Sequence, residues 1–588
     1  MIRTILLLLM LAATGMGAVE VARAQDDGQW TRPGKDLAAT RYSGLTGITA
    51  ANVSGLRPVW TFSTGVLGGH EGQPLVVDRT MYVVTPYPNV LYAFDLTRED
   101  YPLKWKYRPA VDPASTGIAC CDAVNRGAVY ADGRIVYNLL DGHTVAVDAA
   151  SGRELWKTRV ADLARGETIT MAPLVVGDRV IVGPSGGEFG IHGRVDALDL
   201  ATGRIVWTGR NTGPDSVVLA RAASFKPFYD RGAGPDQAQR SWRGDTWKRG
   251  GAPVWGWLSY DPALDLVYYG TGNPGPYNAD QRPGDNKWTS SLLARRPRDG
   301  SLVWAYQFTP HDNWDYDANA ENILAELPIK GTTRRVLVHF DKNGFGYTID
   351  RATGEVLLAE PYVTVNWASR IDLASGRPVV DSSKLTGASR GKVERICPSL
   401  EGGKSPASPA AFSPRTGWFY LATVNLCMDW QSVEAAYIPG TPYMGATIPY
   451  TPGPGGYLGA FIAWDAATGR RVWEIREKFP VWSGSLATAG DVVFYGTLDG
   501  WFKAADARTG KLLWKFKVGS GVVGAPITFT GPDGRQYVAV YSGIGGDWAL
   551  LSGDVVSNDP SDLRPPADFA PDLARYTSQG GMVWVFAR

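Results

Sequence analysis

The sequence predicts an all-β fold, a propeller built from tryptophan-bearing repeats, and three observations carry that prediction. First, one phrase recurs: Ala-x-Asp, a small-residue turn ending in Gly, then Trp. It stands at Ala146-Val147-Asp148 with Gly152 and Trp156, and at Ala197-Leu198-Asp199 with Gly203 and Trp207. Later copies are Ala463-Trp464-Asp465 with Gly469 and Trp473, and Ala504-Ala505-Asp506 with Gly510 and Trp514, each ten residues from Ala to Trp. Second, the copies and the strand-like runs between them recur at about 40–50 residues, the length of a four-stranded blade. Third, 70 Gly, 39 Pro and 22 Trp with only 20% charged residues describe a turn-rich, aromatic-rich globular chain, not a disordered or coiled-coil one.

In chain order, Arg3 and the apolar run from Ile5 to Ala13, followed by Ala22-Arg23-Ala24, have the pattern of a secretory signal peptide over residues 1–24. The mature chain is expected to begin at Gln25 and to be exported. No later run is long and apolar enough for a membrane span. The leader carries Arg3, Glu20 and Arg23, so the formal charge of +1 falls to 0 on cleavage, and nothing points to a nucleic-acid partner.

Each repeat reads as a strand, such as residues 144–147, a turn at Ala-Ser-Gly or Ala-Thr-Gly, and a second strand carrying the Trp. Segments such as Gly177-Asp178-Arg179-Val180-Ile181-Val182 supply further short strands. Weaker copies run from Ala93 to Trp105, from Ala294 to Trp304, and at Asp350 to Gly354, where the Trp is missing, which makes seven. An eighth blade follows if Arg57-Pro58-Val59-Trp60 closes against Met582-Val583-Trp584-Val585-Phe586. Pro/Gly-rich stretches such as residues 450–456 are short and flanked by strand-like runs, so residues 25–588 are read as one domain.

Four cysteines in an exported protein imply two disulfides. Cys120 and Cys121 are neighbours, leaving Cys397 and Cys427 as the ordinary pair. A bond between neighbours closes a strained eight-membered ring, because consecutive Cα atoms lie about 3.8 Å apart and disulfides span about 4.4–6.8 Å. Two buried cysteines that never bond are the alternative. His70, His143, His192, His311 and His339 are scattered, with no metalloprotease-like pairing.

The acidic stretch His311-Asp312-Asn313-Trp314-Asp315-Tyr316-Asp317 is the densest chemical signal. In an extended segment Asp315 and Asp317 share a face about 6.5 Å apart and could hold one cation; a solvated acidic loop is the plainer alternative. Gly270-Thr271-Gly272-Asn273-Pro274-Gly275 matches G-x-G-x-x-G, but Pro276 and Pro283 stand where a phosphate-binding helix would begin. What remains is Asn273, an amide oxygen on a tight loop or a plain turn residue. Arg126, in Asn125-Arg126-Gly127, suits a carboxylate ligand. Ser185-Gly186-Gly187-Glu188 offers open N–H groups to an anion and ends in a carboxylate. Trp255 lies among small residues, as core or as platform. Glu71 in Gly69-His70-Glu71-Gly72 and Thr170 in Thr170-Met171-Ala172-Pro173 are unremarkable alone.

Together and in this order these segments resemble the quinoprotein alcohol dehydrogenases, which use pyrroloquinoline quinone (PQQ). The resemblance covers essentially the whole mature chain. It extends through Pro283-Gly284-Asp285-Asn286-Lys287-Trp288, Thr309-Pro310-His311-Asp312, Cys427-Met428-Asp429-Trp430 and residues 491–501, and points to the methanol dehydrogenase large subunits, in their lanthanide-dependent branch. It implies an eight-bladed propeller with PQQ between a Cys120–Cys121 disulfide and the Trp255 indole. Glu71, Arg126, Thr170, Ser185 and Gly186 would hold the carboxylates and edge of PQQ, and Trp482 would line the far side. Glu188, Asn273 and Asp315 would bind the metal, Lys342 would donate to the reacting quinone oxygen, and Asp315 would be the general base. Asp317 marks the lanthanide branch, because the calcium branch has a small uncharged residue there. The physics agrees: a trivalent ion of calcium-like size gains from one more hard anionic oxygen.

The resemblance therefore implies a periplasmic oxidoreductase that converts methanol or other short primary alcohols to aldehydes. Hydride passes to PQQ and electrons go to a c-type cytochrome; a homodimer is left open. Two alternatives stand beside it, a calcium-dependent enzyme for larger alcohols and a non-catalytic envelope scaffold. Against the scaffold, no Cys follows the leader to carry a lipid, the first being Cys120. Two departures are visible: Lys404-Ser405-Pro406 where the family has Lys-Asn-Trp or Lys-Asp-Trp, and Asp547 between Gly545-Gly546 and Trp548. Asp312, without a role in chemistry, is expected to hold its loop in shape.

Overall fold

The repeats become eight sheets arranged as the blades of a propeller in the computed structural model, which describes residues 28–546, 570 and 572–588. The leader and the Asp547 and Trp548 positions lie outside the described residues. In blade two, for example, Leu75–Val77, Thr80–Val84, Leu91–Asp95 and Leu103–Tyr107 pair in sequence order, antiparallel throughout. The second and third strands are buried runs of Val, Leu, Tyr and Phe, and the outermost strand alternates toward solvent. Blade one is composite. Arg57–Ser63 pairs with Met582–Ala587, with Thr61 opposite Trp584, and completes a sheet with Gln536–Ser542 and Ile527–Thr530. The two ends of the chain close the ring as expected, without a covalent link.

The repeated Gly and Trp turn out to be two halves of a joint between blades. The Trp156 indole N–H donates to the Leu200 carbonyl of the next blade at 3.0 Å, and its ring lies over Gly203. Trp105 does the same at Ala149 and Gly152, Trp207 at Pro297 and Gly300, and Trp473 at Ala507 and Gly510. Trp514 closes the circle by donating to the Leu56 carbonyl at 3.2 Å. Where the repeat lacks Trp, Leu358 and Glu360 pack over Gly469 instead.

Two excursions leave the ring: the hairpin Ala368–Asp372 with Arg377–Val380, and a small sheet of Lys392–Ile396 with Leu426–Ser432, Ala446–Thr447 and Tyr450–Pro452. The second carries the Cys397–Cys427 disulfide, the ordinary pair expected from sequence. Among the described residues no helix is long and apolar enough to cross a membrane.

The first strand of each blade lines the central channel, and its inner edge would be left with unpaired N–H groups. The N-terminal segment, residues 28–43, covers those edges in a circuit. Its carbonyls accept from Thr530, Val76, Tyr130, Tyr260, Leu324, Phe412, Ala487 and Ala489 in turn, at 2.8–3.2 Å, bonds that serve blades one to three and five to eight.

Gly203 tests the joint. Its φ is +71°, and a Cβ there would sit 2.6 Å from the Trp156 ring. Gly203→Ala is expected to cost about 1–3 kcal/mol through overpacking and left-handed strain, and to lower the thermal midpoint. An unchanged midpoint would mean the joint yields.

Candidate active site

The channel-lining strands also place the candidate residues. Glu71 lies just before Leu75–Val77, Arg126 before Ala128–Ala131, Thr170 before Leu174–Val176, Trp255 before Leu258–Asp261, Asp317 before Asn322–Ile329 and Trp482 before Leu486–Thr488. Ser185, Asn273 and Lys342 follow the second strands of their blades, Arg179–Val182, Leu266–Gly270 and Thr332–Phe340. Because first and second strands run antiparallel, both sets emerge at one end of the channel.

One corner of this end is built around Arg126. Its Nη2 meets Glu71 Oε2 at 2.9 Å, its Nη1 donates to Thr170 Oγ1 at 2.6 Å, and the Thr170 hydroxyl lies 3.0 Å from Ser185 Oγ. The guanidinium carbon stands 4.8 Å from the Trp255 ring centroid. Trp255 is half-buried, unlike the core tryptophans, and presents its ring to this corner. A buried guanidinium, two hydroxyls and an aromatic face together suit a flat molecule bearing carboxylates.

The other corner is the acidic stretch, and its order comes from Asp312. That carboxylate is fully buried and accepts the Trp314 and Tyr316 N–H groups at 2.9 and 2.8 Å and the Ser290 hydroxyl at 2.9 Å. Burial pushes its pKa up to about 6 against the pull of these donors. Asp312 thus folds the loop, as expected, and Asp315 is turned inward at φ +65°.

Lys342 lies between the other two carboxylates, its Nζ 3.1 Å from Asp315 Oδ2 and 2.7 Å from Asp317 Oδ2. Asp317 Oδ1 accepts the Asn273 backbone N–H at 2.7 Å. Burial raises the Asp315 pKa well above the ordinary carboxylate range; Lys342 opposes the shift, and Asp317 and Glu188 reinforce it. Burial disfavours charge on Lys342, but Asp315 and Asp317 more than offset this and raise its pKa. The two shifts agree: negative charge is in surplus here, so protons are held.

Two oxygens in this corner, Asp315 Oδ1 and Asn273 Oδ1, are buried with no hydrogen-bond donor. Such atoms are costly unless something else satisfies them. Glycines make the space: a Cβ on Gly187 would lie 2.3 Å from Asn273 Oδ1, and one on Gly272 would lie 2.4 Å from Asp317 Oδ1. Hard oxygen donors from carboxylates and an amide are what a calcium-sized cation takes, so the donor set fits a metal. As the side chains stand, no three His, Cys, Asp or Glu among the described residues close around one point, because the Lys342 ammonium holds the place between Asp315 and Asp317.

Cys120 and Cys121 bring their sulfurs to within 2.7 Å of each other. The next residue anchors the pair, because Asp122 Oδ2 accepts the Gly69 and Gly546 N–H groups at 2.9 and 2.8 Å. Trp482 is fully buried among Leu426, Leu498 and Val523. At the Ser405 departure, Lys404 Nζ is directed to Glu321 Oε2 at 2.8 Å.

Three residues without a sequence signal also belong here. Tyr277 is buried, and its pKa is raised first by burial and then by Asp315, Glu188 and Cys120. Tyr450 donates to Glu401 Oε1 at 3.0 Å and feels Asp315 and Cys121. Both phenols lie within electrostatic reach of the cysteine pair and the acidic corner. Neither stands in a repeat or a charge run, so only folding reveals them.

Asp312→Ala is expected to lower unfolding stability by about 3 kcal/mol, because buried donors lose their acceptor. A urea unfolding midpoint equal to that of the wild type would refute the loop-folding role.

Comparison with known proteins agrees with this geometry. The family model described as "PQQ: Glucose/ethanol/alcohol dehydrogenase, beta-propeller domain" matches residues 30–366 and 475–538. The chain is 51% identical to the lanthanide-dependent methanol dehydrogenase of Methylacidiphilum fumariolicum, over 98% of this chain and 97% of that one. It is 43% identical to methanol dehydrogenase (cytochrome c) subunit 1 of Methylobacterium organophilum, over 97% of this chain and 92% of that one. A solved europium-containing methanol dehydrogenase superposes with a TM-score of 0.92 at 51% identity, covering 96% of this chain and 99% of that chain.

Proposed function

The chain belongs to the PQQ-dependent alcohol dehydrogenase family, and from that premise we propose that it oxidises methanol or other short primary alcohols to aldehydes, using PQQ and a lanthanide ion. The observation that carries this reading is the pair of buried, donorless oxygens, Asp315 Oδ1 and Asn273 Oδ1, beside Asp317 and close to Glu188. Bound PQQ supplies a quinone that takes two electrons and the carbon-bound hydrogen of the alcohol, while the ion supplies Lewis acidity.

The chain's own residues do the rest. Arg126, steadied by Glu71 and Thr170, would hold the cofactor's carboxylates, and Ser185 and Gly186 its edge. Trp255, the Cys120–Cys121 sulfur pair and Trp482 would enclose it. Glu188, Asn273 Oδ1, Asp315 and Asp317 would hold the ion. Lys342, whose Nζ meets Asp315 and Asp317, would supply N–H donors to the quinone oxygen. Asp315 accepts the hydroxyl proton of the alcohol. Its base strength falls once it is paired with an ion, so it acts through position more than basicity.

Export through the leader at residues 1–24 places residues 25–588, one functional propeller, in the periplasm. Electrons then pass to a c-type cytochrome, a reading supported by the name of the Methylobacterium organophilum relative. The scaffold alternative leaves the buried carboxylates unexplained.

Reconstitution with PQQ and either La³⁺ or Ca²⁺, followed by alcohol-dependent dye reduction, tests the metal. La³⁺ is expected to support turnover, and Asp317→Ala to weaken La³⁺ binding selectively, read by metal content after dialysis. Equal activity with Ca²⁺ alone would refute the lanthanide assignment.

Asp315→Asn is expected to lower kcat by about 10²–10⁴-fold, the range of a lost general base, with PQQ still bound by absorbance. Near-normal turnover would remove Asp315 from proton transfer.

A further inference from the structure

The geometry points to Arg41 as a positioning residue: brought into the central channel by the N-terminal segment, its guanidinium fixes the ends of the innermost strands and so holds the floor of the cofactor site. Arg41 is 1% exposed and faces no substrate or solvent. Its Nε donates to the Ser485 carbonyl at 2.8 Å, its Nη2 to the Pro526 carbonyl at 2.6 Å, and its Nη1 meets Gln73 Oε1 at 3.3 Å and the Pro33 carbonyl.

Ser485, Pro526 and Gln73 stand at the entry to the first strands of blades eight, one and two, Leu486–Thr488, Ile527–Thr530 and Leu75–Val77. One planar, five-donor group therefore joins three adjacent blades across the place where the ring closes, 444 residues from Ser485 and 485 from Pro526 along the chain. Glu321, at the entry to Asn322–Ile329, is the anionic group that acts on Arg41. It also bonds Lys404 and accepts the Ala410 N–H at 2.9 Å, so blades six and seven belong to the same network.

Three members of this network lie directly behind candidate site residues. Gln73 is two residues past Glu71, Ser485 three past Trp482, and Glu321 four past Asp317. Gln73 also donates to the Arg126 carbonyl at 3.1 Å, which carries the contact to the guanidinium of the carboxylate corner. A lysine cannot reproduce this fork, and an apolar side chain leaves buried carbonyls without donors. The backbone circuit of residues 28–43 delivers Arg41 to this point, so the segment that seals the channel also supports the site at its other end.

The affinity part of this inference rests on the proposed cofactor reading; the part about loop order does not, and the experiment keeps them apart. Amide hydrogen exchange on Arg41→Lys and Arg41→Met should rise in residues 69–73, 483–485 and 524–525 but stay at wild-type rates in Ile205–Arg210, the outermost strand of blade four. La³⁺ affinity of the PQQ-loaded variants should weaken by about 10–100-fold, as when support behind metal ligands is lost.

Gln73→Met removes one arm and should loosen residues 122–127 alone. It carries the test if both Arg41 variants fail to fold. Uniform exchange increases across all blades, or unchanged exchange in the named loops, would overturn the positioning role. A wild type that binds neither PQQ nor La³⁺ would instead refute the cofactor reading and leave the exchange pattern to decide this one.

Discussion

The indole N–H that most blades give to a carbonyl of the next is the interaction on which this ring depends; Trp304 packs over Gly354 without that bond, and Leu358 and Glu360 fill the joint that lacks Trp. A single such bond is worth only about 1 kcal/mol net. Repeated around a closed circle, with side-chain packing at the joints that lack the bond, these contacts reinforce one another, because a blade that shifts disturbs a joint on each side. The glycine under each indole matters as much as the indole, since any Cβ at Gly152, Gly203 or Gly510 would enter the ring of the preceding tryptophan. Trp514, donating to Leu56, and the strand Arg57–Ser63, pairing with Met582–Ala587, convert a linear array into a ring.

Ring closure gives the site its character. Closing the blades brings the entries of eight short inner strands together around one axis, where water is excluded and the charges on separate blades must accommodate one another. Three carboxylates, Glu188, Asp315 and Asp317, act on one another there with the Lys342 ammonium in reach. A surplus of negative charge in a low-dielectric place favours protons or a cation, and two oxygens without donors favour the cation. The acidic corner thus suits an ion, with the Lys342 ammonium beside Asp315 and Asp317.

Some of this was legible in the sequence because it is local. The Ala-x-Asp, Gly and Trp phrase is a contiguous unit of strand, turn and strand, so its spacing survives in any copy and predicts blades without knowledge of their contacts. The motifs around Arg126, Glu188, Asn273 and Asp315 could be placed in one site by family resemblance, although nothing in any one of them requires the others. The repeat at Asp350 to Gly354 shows the limit: it lacks Trp, and only packing reveals that Leu358 and Glu360 fill the place.

The sequence by itself determined the blade unit, the closing partnership of the two chain ends and the Cys397–Cys427 pairing. Tertiary structure alone decided that both Asp317 oxygens are engaged, and that the Tyr277 and Tyr450 phenols are buried within electrostatic reach of the cysteine pair and the carboxylates. It alone decided the place of Arg41, hundreds of residues from Ser485 and Pro526 along the chain. The physical reason is range. Turn chemistry and strand periodicity act over a few residues and leave a pattern in the chain, whereas a buried guanidinium among carbonyls is defined by ring closure, which brings together groups that share no pattern.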